Sequence, residues 1–173
     1  MKKLVIISLF AILIFSCKNP NPNEIPNEVI VIVELIKNKE KSQRELKEFT
    51  KKYSEYVKST EPNTLGWTYH DAGEKIILIE RYKNEDANIV TAKNISSGGN
   101  RYKLLQESFK DHTLAKVTVI GGFTQKLIDF NKMTAEKVGF TAPFVYYPLI
   151  SGYSKSQNRV CMTSPLCSGR KTV

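Results

Sequence analysis

Nine residues, EVIVIVELI at 28–36, alternate valine and isoleucine with almost no polar interruption, a β-branched run of strand length with no breaker. A strand with one face in water alternates apolar and polar residues. A continuous apolar run predicts a strand covered on both faces. Whatever this chain folds into must therefore hide a sheet from two sides.

The period changes after Asn38. From Lys39 to Ser59, Leu46, Phe49, Tyr53 and then Tyr56 or Val57 recur at helical spacing between lysines and glutamates, which predicts an amphipathic helix ended by EPNT. LGWTYH (65–70) alternates, with Leu65, Trp67 and Tyr69 on one face and Thr68 and His70 on the other. DAGE then turns the chain into a returning strand, EKIILIERY (74–82). Asn84 is a good N-cap for a helix over 84–94, with acidic residues in the first turn, where they complement the dipole. SSGGN interrupts the pattern, and RYKLLQESFKDH (101–112) resumes it. LAKVTVIGG (114–122) is a strand, and 124–138 is a helix that Thr124 can cap and Gly139 can end. FTAPFVYYPLI (140–150) is an edge or irregular strand, because of Pro143 and Pro148.

Strand, helix, strand, strand, helix, strand is the ferredoxin-like plan, an α+β antiparallel sheet with helices on one face. Its other face would expose several hundred Å² of apolar surface. A second copy of the chain is the expected cover, making a homodimer whose two sheets face each other.

The first residues set an address. Met1, Lys2 and Lys3 precede thirteen uncharged residues, LVIISLFAILIFS, the charged and apolar regions of a secretory signal. The apolar stretch is shorter than the roughly 20 residues that span a bilayer. Ile14, Phe15, Ser16 and Cys17 resemble the bacterial lipoprotein box, although phenylalanine is unusual in its second slot. The resemblance implies cleavage before Cys17 and acylation of its thiol, placing the protein in the cell envelope, at an outer membrane or periplasmic face rather than in the cytoplasm. The other readings of the segment are an ordinary signal peptide cut elsewhere and an uncleaved anchor helix. The expected organisation is a signal peptide (1–16), a lipidated cysteine and Pro/Asn-rich tether (17–27), one domain (28–153) and an irregular tail (154–173).

The mature net charge falls from +9 to about +7 as two lysines leave with the signal. Those that remain are scattered rather than interleaved with aromatics, so they read as a solvated helix face and nucleic acid is not an expected partner. Cys161 and Cys167 form an even pair outside the cytoplasm and can bridge. Two thiols without a nearby histidine do not make a metal site, and no metal is expected.

The turn EPNTLGW and the segment IILIERYKNEDA resemble the antibiotic biosynthesis monooxygenase domain, a dimeric α+β barrel family, over about residues 28–120. Glu80, Tyr82, Asp86 and Ala87 match its pattern, whereas Asn63 replaces a usual glycine. FVYYPLISGY (144–153) is similar to the C-terminal extension of some members. The resemblance implies oxidation of a small electron-rich aromatic or quinol by O₂ without a cofactor, the protein binding, orienting and stabilising the substrate anion in a dry pocket. Two family groups are missing. The histidine about four positions beyond the alanine falls on Thr91, and the asparagine of the phenol oxygenases falls on Leu78.

What remains is aromatic and carboxylate. Trp67, Tyr69 and Tyr82 are the expected substrate walls, with Glu80 or His70 handling a proton, and Tyr146 closing or plugging one end. Core or dimer packing for the aromatics, a hydrogen-bonding role for Glu80 and simple exposure for His70 are the competing readings. His112, at a helix end, suits the dipole as a cation. Two functions stay open: a cofactor-independent oxygenase, or a non-catalytic small-molecule-binding or structural lipoprotein of the same fold. For the anchor, cells fed labelled palmitate should label the wild-type chain, and Cys17→Ser should abolish the label. A variant that stayed labelled would contradict acylation at this residue.

Overall fold

The computed structural model describes residues 27–152. The signal segment, Cys17, nearly all of the tether, and the tail with Cys161 and Cys167 lie outside the described residues. The elements run β1 (Val29–Lys37), α1 (Gln43–Thr60), β2 (Thr64–Ala72), β3 (Lys75–Tyr82), α2 (Glu85–Ile95), α3 (Tyr102–Asp111), β4 (His112–Gly121), α4 (Gln125–Val138) and β5 (Phe144–Pro148). One sheet forms in the order β2-β3-β1-β4-β5. The first four strands are the ferredoxin-like α+β arrangement, each pair antiparallel. The fifth pairs with β4 in parallel, so the whole sheet is mixed rather than antiparallel. The physical reason is α4, whose length carries the chain back along the sheet so that β5 enters in the direction of β4.

Local chemistry accounts for the helix starts. Ser42 accepts from the Glu45 amide while the Glu45 carboxylate accepts from the Ser42 amide, a reciprocal cap on α1. Leu46, Phe49, Tyr53 and Val57 form the buried stripe of this helix, as the spacing predicts. Burying a side chain of this size contributes about 1.5–3 kcal/mol. Asn84 caps α2 by accepting from the Ala87 amide at 3.0 Å. Thr124 stands at the start of α4 without a side-chain cap bond; its amide and hydroxyl donate instead to the Glu85 carboxylate, tying α4 to α2. Gly139 ends α4 in the left-handed conformation, φ +81.

The sheet has two unlike faces. Val29, Val31, Val33 and Leu35 of β1 are buried with Ile76, Leu78, Tyr82, Val117 and Val119, and Ala87 and Ile89 of α2 and Leu127 of α4 pack on them. The alternate residues Ile30, Ile32, Ile77, Ile79 and Ile120 lie on the opposite face and are only half-buried. Among the described residues no helix packs on that face, and none is long and apolar enough to cross a membrane.

Two local expectations change. The register of β2 against β3 shifts between Thr64 and Gly66, so Leu65 falls in a bulge, 51% exposed, and does not share the inward face of Trp67 and Tyr69. His112 is not a cationic helix end. α3 passes directly into β4, which turns the ring inward against Phe49, where burial lowers its pKa and favours the neutral form.

Candidate functional site

Between the inward face of the sheet and the four helices lies a cavity of about 120 Å³. One row of residues crosses all five strands beneath it: Trp67, Glu80, Val31, Val119 and Tyr146. Strand alternation makes Trp67 and Tyr69 neighbours on one face, and the antiparallel register of β2 on β3 sets Glu80 opposite Trp67 on that face. Trp67, Tyr69 and Glu80 line the cavity. Tyr82 sits behind it, fully buried, and its hydroxyl donates to Glu80 Oε2 at 2.6 Å.

The remaining candidates are elsewhere. His70 lies on the other face of β2, exposed, with its Nε2 3.0 Å from the Thr68 hydroxyl. It cannot share a proton with Glu80 through the sheet. Tyr146 has the right face but lies three strands from Glu80, roughly 14 Å at the usual strand spacing. There it packs against Phe123 and Phe144.

Burial pushes the Glu80 carboxyl up to about 7; the Tyr82 hydrogen bond and the Arg101 charge pull the other way but do not cancel it. Burial also raises Tyr53, to about 12, and Tyr69, so both phenols stay protonated at neutral pH. The site thus holds one carboxyl that can gain or lose a proton near neutrality.

Its electrostatic counterpart is Arg101, which was not a candidate from sequence. Only 1% of it is exposed, and its guanidinium carbon lies 4.9 Å from the Trp67 ring centre and 5.4 Å from that of Tyr53. Those two rings stack at 5.6 Å with an interplanar angle of 13°. Arg101 Nη1 is 3.0 Å from Glu61 Oε1, close enough for an ion pair but without hydrogen-bond geometry. Glu61 itself is 4% exposed and accepts from Thr64, Thr91 and Asn94. The turn that delivers Arg101 depends on Gly99: a Cβ there would come within 2.3 Å of the Asn94 carbonyl oxygen, the acceptor for the Arg101 amide.

Sequence carried one faint signal for this arginine. The chain has 21 lysines and only 5 arginines, and arginine is the cation suited to buried pairs and aromatic stacking. Thr91 and Leu78, the slots where the expected histidine and asparagine are missing, do line the cavity, together with Asn88 and Asn131. Among the described residues, no three His, Cys, Asp or Glu side chains are grouped as a metal ion would require.

Glu80 has its pKa raised above the ordinary 4.5, so its stabilising contribution is complete below about pH 4.5 and is lost as pH rises through about 7. Glu80→Gln cannot ionise and still accepts from Tyr82. Its stability relative to wild type should rise across that window, by about 3 kcal/mol at pH 8, in urea unfolding at pH 5, 6.5 and 8. His112 works in the opposite direction, gaining stability as pH rises toward 6.5, but it is common to both proteins and cancels in the difference. A difference that did not vary with pH would contradict an ionisable buried Glu80.

The chain matches no protein-family model, and no curated protein matches it. Among solved structures it is similar to the crystal structure of MupZ from Pseudomonas fluorescens, with TM-score 0.53 and 14% identity over 75% of this chain and 95% of that one. At that identity the likeness establishes a shared α+β fold and nothing about chemistry.

Proposed function

We propose that this chain is an envelope lipoprotein whose domain belongs with the antibiotic biosynthesis monooxygenases and oxidises a small phenol or quinol with O₂. The observation that carries the reading is the placement of a near-neutral carboxyl, Glu80, and a buried guanidinium, Arg101, on the walls of one cavity with Trp67 and Tyr69. A base to take the phenolic proton and a fixed cation to stabilise the resulting oxyanion are what such chemistry needs from a protein.

Size narrows the substrate. A cavity of about 150 Å³ can hold benzene, so one of about 120 Å³ limits the substrate to no more than a single ring. For benzene-1,4-diol, Glu80 takes one phenolic proton and the phenolate passes an electron to O₂. The resulting superoxide then bonds to the ring carbon beside an oxygen. Loss of that carbon's hydrogen and cleavage of the O–O bond leave a hydroxyquinone and one water. All four electrons that reduce O₂ come from the substrate, so no other reductant enters the balance. The protein's own work is to orient the ring against Trp67 and Tyr69, exclude water, and hold charge at Glu80 and Arg101.

Oxygen uptake with benzene-1,4-diol tests this. The wild-type domain should exceed the buffer rate, with the excess rising through about pH 7 as Glu80 ionises, and Glu80→Gln should lower the excess by about 10²-fold. Uptake no faster than buffer would overturn the enzyme reading. Quenching of Trp67 by the diol without turnover would then favour the non-catalytic binding lipoprotein.

The same reading includes a homodimer closed over the half-exposed isoleucines Ile30, Ile32, Ile79 and Ile120. The mature chain carrying Cys17→Ser, which removes the lipid, should have the mass of two copies in light scattering at micromolar concentration. Ile32→Lys should halve it, and a wild-type monomer would contradict this part of the proposal.

A further inference from the structure

Four polar atoms on the cavity-lining residues have no hydrogen-bond partner among the described residues: Arg101 Nε and Nη1, Trp67 Nε1 and Asn88 Oδ1. Three are donors and one is an acceptor. Each is buried, and leaving such an atom unmatched costs about 1–3 kcal/mol. Glu61 Oε1 lies 3.0 Å from Nη1, outside hydrogen-bond geometry, and its carboxylate also accepts from the Thr64 and Thr91 hydroxyls and the Asn94 amide, so the pair serves Nη1 electrostatically and leaves Nε without any acceptor. Arg101, which lines the cavity, therefore keeps one donor, Nε, with no acceptor beside it.

The unmatched set describes its own complement. Arg101 Nε belongs to a cation and Trp67 Nε1 to the indole beneath it, so a ligand that matches both presents more than one acceptor oxygen, at least one of them negative. The acceptor, Asn88 Oδ1, calls for a hydroxyl. Around them Val31, Val33, Leu78 and Val119 demand an apolar ring. A plain diol supplies the ring and the hydroxyl but leaves the guanidinium under-partnered.

We propose that the preferred ligand of this cavity is a hydroxylated aromatic acid of one ring, its carboxylate held by Arg101 and Trp67 and a hydroxyl donated to Asn88. This inference rests on the function proposed above and narrows its substrate class. It assigns Arg101 to recognition of a permanent carboxylate as well as to stabilisation of the oxyanion formed during reaction.

Anaerobic titration calorimetry with two probes tests it: 2,5-dihydroxybenzoate and benzene-1,4-diol, which differ only by the carboxylate. The acid should bind at least tenfold more tightly, and a smaller ratio overturns the assignment. Arg101→Lys keeps a cation beside Glu61 and should bring the ratio to about one; a ratio preserved in that variant overturns it equally. Should Arg101→Lys fail to fold, Trp67→Phe retains the ring and removes one donor, and it should weaken the acid at least threefold while an unaltered acid affinity counts against the proposal. Failures are separable because binding is read without oxygen. Equal affinities together with diol-dependent oxygen uptake would remove the carboxylate and leave the oxidation standing. An acid preference without uptake would do the reverse.

Discussion

The buried pairing of Arg101 with Glu61 is the constraint on which the interior is arranged. A guanidinium taken out of water is costly, and the attraction of one carboxylate repays the desolvation of both charges only when further polar groups join in. Here they do so on one side only. Glu61 closes the C-terminal end of α1 and gathers groups from β2 and α2, while Arg101 arrives from the start of α3 and lies over the stacked rings of Trp67 and Tyr53. Cation–π contact of this kind contributes up to about 2 kcal/mol when water is excluded. One ion pair therefore fastens three helices and the edge of the sheet around the cavity.

The consequences reach Glu80 through the same low-dielectric interior. Its carboxyl shares the cavity wall with Arg101, yet burial outweighs that charge and the acid form persists up to about neutrality. A carboxyl on the solvated face of β3 would ionise nearer the ordinary 4.5 and would be a weaker base. Position on the strand thus decides reactivity: Glu80 pairs across the hairpin with Trp67, inward, whereas His70 pairs with Ile77, outward. The residue with the more familiar catalytic reputation stands on the wrong side of the sheet.

Most of the fold was legible along the chain. The stripe Leu46, Phe49, Tyr53, Val57 is repeated every turn, the DAGE turn sits between two alternating runs, and Asn84 and Gly139 mark helix ends by their own backbone preferences. Such signals are local, since neighbours three or four residues apart create them. The direction of β5 was not legible, because parallel pairing depends on how far α4 carries the chain. The bulge at Leu65 was hidden too: period-2 alternation reads straight through an extra residue. His112 was misjudged for a similar reason, as its helix-end position was visible but the ring of Phe49, from α1, was not.

The site divides along the same line. Sequence alone determined that Trp67 and Tyr69 share one face of β2 and Glu80 and Tyr82 one face of β3, because residues two apart on a strand point the same way; the pairing of Trp67 with Glu80 set those faces together. Only the tertiary structure decided which of them meet the cavity, sent Tyr146 to the far edge, and brought Glu61 and Arg101 together across 40 positions. In sequence those two charges look like punctuation, one beside EPNT and one after SSGGN. Their burial is a property of what the rest of the chain packs around them, and no spacing rule between neighbouring residues encodes it.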